Sequence, residues 1–267
     1  MNFPSSDNWP DSPFYRQLYF TKDELNAEQF ISQLVDRLRP GPNSRILHLA
    51  CGNGEHSRLL AAAGYDVTGV DPSALNIEEA KRSETDNLHF FLHDMRLPFW
   101  GNYFDLAFIF FHGFGQFRTR REHDAAIRTI ANSLKPGGLL VLDYPNLHYT
   151  EDNQVTNETK AIGATQYEIR CWNDALNFYK KIRITDPTLT SPVEYTERLA
   201  KYSMGDFTDM FSFQGLQVQE VFGDYQFQSY DLRKTPRLIM IARKGASMPE
   251  DKEKRLYSDG RRTDALT

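Results

Sequence analysis

The stretch from Arg45 to Ser73, RILHLACGNGEHSRLLAAAGYDVTGVDPS, constrains the fold more than any other part of the chain. It reads as strand, glycine turn, helix and strand, and it ends on an acidic side chain. Ile46, Leu47, Leu49 and Ala50 form a short apolar run without helical period, bounded by Pro42 and by Gly52 and Gly54, which predicts a buried parallel strand. From Glu55 onward, Leu59, Leu60 and Ala63 recur at helical spacing, and Gly64 supplies the stop. Val67 to Val70 predicts a second buried strand. Asp71 then stands at its carboxyl end, where a carboxylate can take both hydroxyls of a ribose.

The glycines narrow the ligand. A dinucleotide fold uses G-x-G-x-x-G, in which the third glycine lets helix and strand approach closely. Here the third place is Ser57. A glycine pair before a helix is by itself weak evidence, and a plain strand-to-helix turn would read the same way. The run Leu49-Ala50-Cys51-Gly52-Asn53-Gly54 nevertheless resembles the first motif of the class I S-adenosylmethionine-dependent methyltransferases, whose turn accommodates the methionine part of the cofactor.

Later segments extend that resemblance. Asn87 to Phe99, NLHFFLHDMRLPF, looks like the family's third motif, which implies that Asp94 receives the adenine amino group with the backbone of Met95 beside it. An Asp after a strand is also a common turn former. Tyr103 to Phe110 predicts an apolar fourth strand, followed by Phe111-His112-Gly113-Phe114-Gly115-Gln116-Phe117, where such folds present residues to the transferred methyl group. Glu122 to Leu134 predicts an amphipathic helix, and Lys135-Pro136-Gly137-Gly138 a turn feeding a fifth strand from Leu139 to Asp143. By resemblance the cofactor set is Ala50, Cys51, Gly52 and Gly54, then Asp71 with Pro72, Asp94 with Met95, and Phe111.

The resemblance covers residues 14 to 146 and 204 to 244 and is closest to a small-molecule branch with an N-terminal helical arm. Phe14 to Tyr19 begins the arm. Glu24 to Leu38 continues it as a helix with Leu25, Phe30, Ile31, Leu34, Val35 and Leu38 on one apolar face. Such arms commonly close over the cofactor in relatives, which would bring the hydroxyls of Tyr15 and Tyr19 near the acceptor; Phe14 reads as a core staple. His48 departs from the family, which usually has an acidic residue at that place, and reads as a satisfied core histidine.

After Asn146 the pattern changes. Gln166 to Trp172 and Leu176 to Ile184 alternate with period two around Asn173-Asp174-Ala175, which predicts an antiparallel hairpin, and Val193 to Ser203 offers another strand. This insertion resembles a cap or dimerisation sheet, an edge extension being the plainer alternative. Asp206 reads as the N-cap of a helix over 207–214 that Gly215 ends. Leu216 to Phe222 and Arg237 to Ala242 then predict a closing hairpin. The expected fold is α/β and doubly wound, with a mostly parallel seven-stranded sheet and a small antiparallel insertion. Residues 1–150 hold arm and cofactor-binding core, 151–203 the insertion and 204–245 the end of the core, while 246–267 read as a disordered tail.

Composition excludes several classes. No run approaches the roughly 18 apolar residues of a membrane helix, and MNFPSSDNWPDSP lacks the zones of a signal peptide, so a cytoplasmic setting is expected. The net charge of −5 opposes nucleic-acid binding, and the short Arg118-Thr119-Arg120-Arg121 cluster reads as a solvated helix start. Two cysteines, Cys51 and Cys171, cannot make a metal site; both are expected reduced, and no metal is expected. The resemblance implies S-adenosylmethionine as cofactor and N- or O-methylation of a small molecule, with homodimerisation left open. Topology favours His112 as the base, since ligands gather outside the strand ends, and a histidine titrates near neutrality; a loop-bracing His112 is the alternative. Tyr15 and Tyr19 are candidates for orienting the acceptor. The aromatic residues Phe111, Phe114, Phe117 and Trp172 would line a site for a ring or an apolar amine, or else belong to the core. The rival readings are a non-catalytic binder of the cofactor or its demethylated product, and a nicotinamide oxidoreductase.

Overall fold

The structure is a computed structural model and describes residues 9–19, 24–110 and 113–246. Two arm helices, α1 (Pro13–Tyr19) and α2 (Glu24–Leu38), lead into β1 (Arg45–Leu49), α3 (Glu55–Ala62), β2 (Asp66–Asp71), α4 (Ala74–Ala80) and β3 (Leu88–Leu92). Next come β4 (Phe104–Ile109), α5 (Arg120–Ser133), β5 (Leu134–Pro145) and α6 (Leu147–Asn153). Four strands follow, β6 (Asn157–Ile162), β7 (Thr165–Asn173), β8 (Asn177–Thr185) and β9 (Val193–Ala200). The chain closes with α7 (Met204–Phe213), β10 (Leu216–Phe222) and β11 (Arg237–Lys244).

The strands form a seven-stranded sheet in the order β10-β11-β5-β4-β1-β2-β3 and a separate four-stranded sheet in the order β6-β7-β8-β9. In the large sheet β11 runs antiparallel to both neighbours and the other pairings are parallel. The strand order reverses between β1 and β4, and ligand crevices form at such a reversal. Helices bury both faces. Phe30, Ile31, Leu34, Leu60 and Ile77 cover Ile46 and Val67 on one side. Ile127, Ile130, Phe207, Met210 and Phe211 cover Leu47, Leu49 and Leu140 on the other. This is the doubly wound α/β fold that the apolar strand runs predict.

Differences from the sequence reading have local causes. Asp206 is not the N-cap of α7: Ser203 is, its Oγ accepting the Asp206 N–H, while the Asp206 carboxylate accepts the Ser203 N–H at 2.9 Å. Ser and Asp three apart can each read as a cap, and the pair makes a capping box. The Lys135–Gly138 turn loops out of the ladder within β5, which advances from Leu134 to Leu139 while β4 advances from Phe104 to Leu106. Helix α4, capped by Ser73, and strand β6, almost wholly exposed, were not anticipated; one is short and the other lacks an apolar alternation. The hairpin over 166–184 is β7–β8, its turn held by Asp174 accepting the N–H groups of Leu176 and Asn177 at 2.8 and 2.7 Å. The tail read over 246–267 lies outside the described residues apart from Ala246.

Where β5 meets β11, the fully buried Asp143 carboxylate pairs with Arg237 at 2.7 Å and accepts the Tyr225 hydroxyl at 3.0 Å. Removing the cation strands a buried charge. Arg237→Met is therefore expected to lower unfolding stability by about 3 kcal/mol in urea titrations.

Candidate active site

A cavity of about 310 Å³ opens at the carboxyl ends of β1, β2 and β4. Its floor is the turn after β1. Ala50 and Gly54 both adopt left-handed backbone, at φ 52° and 83°. Gly54 has a second constraint, because a Cβ there would lie 2.4 Å from Phe90 Cζ, so it permits the close approach of α3 to β3. Ala50 holds its left-handed angle without being glycine, at a cost of order 1 kcal/mol.

Asp71 closes the turn. One carboxylate oxygen accepts the Gly52 N–H at 2.9 Å; the other accepts the Ser73 N–H at 2.9 Å and the Asn76 side-chain amide at 3.3 Å. Burial raises its pKa and these hydrogen bonds oppose the rise. Oδ2, with one donor, keeps acceptor capacity, whereas Oδ1 already takes two donors. Across from it, both Asp94 oxygens are held by the Arg96 guanidinium at 2.6 to 3.0 Å, and Arg96 also reaches Glu122 at 2.5 Å. That contact keeps the Asp94 carboxyl below its ordinary pKa. The Arg96 N–H also donates to Asp94, so Asp94 forms the turn and lines the cavity at once.

Among the residues expected at the site, Ala50, Cys51, Gly52, Asp71, Pro72, Asp94, Met95, Tyr15 and Tyr19 all line this one cavity. Gly54 does not line it and acts through the conformation of the turn. His112 and Phe111 lie outside the described residues. Of the aromatic residues weighed for the lining, Phe114 takes the alternative reading and is buried in the core, while Trp172 does neither: it is exposed and stacks on Tyr179 in the small sheet. Strand parity turns Trp172 to the outer face. Phe117 does line the cavity. Sequence reading missed Asn53, Glu55, His56, Asn76, Arg96 and Gln116 in the wall. Arg96 was legible as the basic partner two residues past an Asp; the others depend on which way the turn faces.

The tyrosines are placed by the arm. Helix α1 lies on the small sheet, where Tyr167 donates to the Gln17 side chain at 2.7 Å and Gln17 donates to the Ile162 carbonyl at 3.0 Å. It reaches the large sheet through an ion pair between Arg16 and Glu79 and a hydrogen bond from Ser73 to Asp11. Burial, then Glu197, raise the pKa of both Tyr15 and Tyr19, so both phenols stay protonated. The loop after β4 is fastened to the same sheet: Ala200 N–H donates to Gly115 at 2.8 Å, and Gly115 leaves room for the Tyr144 hydroxyl, 2.3 Å from where its Cβ would stand.

His48 is buried and within 2.8 Å of Ser57 Oγ, the satisfied core histidine expected, although its ring also reaches the cavity wall. Burial lowers its pKa to about 3 and that of His56 to about 4. Both imidazoles are neutral at physiological pH.

Comparison with known proteins agrees with this geometry. Residues 46–138 match the model of a methyltransferase domain. A crystal structure of an S-adenosylmethionine-dependent methyltransferase from Clostridium acetobutylicum superposes with a TM-score of 0.74 at 16% identity, covering 87% of this chain and 97% of that one. Residues 46–138 are thus similar to a methyltransferase domain, and the chain has the class I methyltransferase fold. Cypemycin N-terminal methyltransferase of Streptomyces sp is 28% identical over 219 residues, 78% of this chain and 87% of that protein. Glycine N-methyltransferase of Rattus norvegicus is 29% identical over 150 residues, and the match spans 50% of this chain and about half, 51%, of the rat protein.

The lining of the cavity fits S-adenosylmethionine, the cofactor for which the Clostridium acetobutylicum structure is named. The Asn53 side-chain oxygen is buried without a hydrogen-bond partner among the described residues, beside the turn that the first motif uses for the methionine part. An amino group would satisfy it. No helix among the described residues is long and apolar enough to cross a membrane.

His48 also gives the domain a pH signature. The unfolded chain protonates it near 6.5 and the folded one near 3, so its contribution is complete above 6.5 and is lost as pH falls toward 3. Between pH 6.5 and about 5, His48→Gln is expected to lose about 1.5 kcal/mol less stability than the parent chain, measured by urea unfolding at both pH values.

Proposed function

We propose that the chain transfers the methyl group of S-adenosylmethionine to an amino or hydroxyl group of a small molecule. The observation that carries this reading is a single cavity walled on one side by the Gly52 turn and Asp71 and on another by the phenols Tyr15 and Tyr19 with Phe117. Cypemycin N-terminal methyltransferase and glycine N-methyltransferase are named for nitrogen acceptors, which supports an amino group.

When bound, the cofactor supplies an electrophilic methyl group on a sulfonium, so alignment contributes most of the catalysis. Asp71 would accept one ribose hydroxyl on Oδ2 and the other on Oδ1 in place of the longer Asn76 contact, and Asp94 the adenine amino group, beside the backbone of Met95. Asn53 would accept the amino group of the methionine part. Pro72, Ala50 and Cys51 shape the wall, and Phe111 would follow them after β4. The neutral His48 and His56 place no positive charge against a cation. Tyr15 and Tyr19, protonated, would orient the acceptor, and His112, just past β4, would take its proton. The small sheet serves as a cap, since its inner face holds the arm in an apolar cluster of Trp9, Tyr167, Ile169, Ile182 and Ile184. Its outer face carries cross-strand pairs such as Lys181 with Glu194.

Methyl transfer from labelled S-adenosylmethionine to a panel of small amines and alcohols tests the reading. Labelled product supports it. Binding of the demethylated product without any turnover would instead make the chain a non-catalytic binder, the reading that the loss of an acidic residue at His48 raises.

Asp71→Asn keeps an acceptor for one of the two backbone N–H groups while removing the charge. Charge-assisted bonds are worth about 1.5–3 kcal/mol each, so calorimetry should show cofactor affinity reduced at least about tenfold. An unchanged dissociation constant would remove Asp71 from the site. His112→Ala should leave cofactor affinity unaltered and lower kcat by about 10²–10⁴, with the acidic limb of the pH–rate profile abolished. Turnover above about a third of the parent value from pH 6 to 9 would end the base assignment.

A further inference from the structure

We propose that Glu197, on β9 of the small sheet, is the positioning residue that fixes the tyrosine wall of the cavity. The proposal rests on the methyltransferase reading above. Glu197 does not line the cavity, and its sequence neighbourhood marks it only as a residue of an alternating strand. It is nevertheless where three separated segments converge. Trp9 Nε1 donates to its Oε1 at 2.6 Å, and the Tyr19 hydroxyl donates to Oε1 and Oε2 at 2.6 and 2.7 Å. Lys180, directly opposite Glu197 in the β8–β9 ladder, donates to the Tyr19 oxygen at 2.7 Å and stands 4.4 Å from the centre of its ring.

The geometry defines Tyr19 from both ends. Its hydroxyl donates to an anion and accepts from a cation, so the phenol oxygen has one place, and the ring is pinned where it borders the cavity. Tyr15 follows, because its ring packs against both Trp9 at 5.3 Å and Tyr19 at 4.8 Å. Trp9 in turn stacks on Tyr195 of β9 at 4.4 Å. The arm residues that face the cavity therefore take their position from one carboxylate about 180 residues away in sequence. Charge-assisted bonds from two donors make that anchor stronger than the apolar contacts around it. Losing it frees the aromatic residues that close the cavity while leaving the Gly52 turn and Asp71 intact.

The test is calorimetric titration of the full chain with S-adenosylhomocysteine, alongside thermal melting. Glu197→Ala is expected to weaken binding about tenfold or more. Glu194→Ala, on the same strand and paired outward with Lys181, should bind like the parent chain. A Glu197→Ala dissociation constant within about twofold of the parent value, or equal weakening in Glu194→Ala, would overturn the proposal. Should Glu197→Ala fail to fold, Trp9→Phe and Tyr19→Phe each remove one donor and should weaken binding about threefold to tenfold; unchanged affinity in both would also overturn it. Failure of the parent chain to bind the nucleoside would overturn the methyltransferase reading, and this proposal with it.

Discussion

A buried carboxylate, Asp71, holds the site together by accepting the backbone N–H of Gly52 from one loop and of Ser73 from the next. Beside the Cys51 N–H bond to the Val70 carbonyl, those two bonds tie the turn after β1 to the turn after β2. Ser73 then passes the constraint on: its hydroxyl caps α4 and donates to Asp11 of the arm. Floor, side wall and arm are thus referred to one buried anion. Burying an anion is costly unless donors surround it, and the three donors here leave an acceptor site on Oδ2.

The fold divides the labour between its two sheets. The large sheet provides one wall of the cavity at its reversal point, with the Gly52 turn, Asp71 and Asp94 at neighbouring strand ends, and in the proposed reading this is the cofactor end. The small sheet provides the platform on which the arm and the loop after β4 are anchored, through Glu197 in one case and Ala200 in the other. Electrostatically the cavity wall carries the carboxylates of Glu55, Asp71 and Asp94 and the Arg96 guanidinium, which is paired with Asp94, beside two imidazoles whose burial keeps them neutral. A cationic sulfonium meets no competing positive charge from either ring.

Much of this was legible in the chain because it is local. The strand-turn-helix-strand run from Arg45 to Asp71 is encoded by apolar blocks and glycines within one segment, and the closing β10–β11 hairpin by two more. The seven-stranded arrangement was implied by the resemblance to the methyltransferase family and agrees with the observed order. Long-range polar pairing was not legible: nothing near Glu197 announces Trp9 or Tyr19. Side-chain direction was the other gap. Phe114 and Trp172 are aromatic residues in the expected segments, but a loop bend buries one in the core and strand parity turns the other outward. Ser203 and Asp206 were confused because both residue types cap helices.

In the proposed reading Asp71 and Asp94 face one nucleoside within the cavity at the β1–β4 reversal. A crystal structure of the full chain with S-adenosylhomocysteine tests this. Both ribose hydroxyls are expected within about 3 Å of the Asp71 carboxylate, the adenine amino group at the same distance from Asp94, and the methionine amino group on Asn53. A nucleoside bound elsewhere, or bound in the cavity with Asp71 still engaged only by Gly52, Ser73 and Asn76, would contradict it.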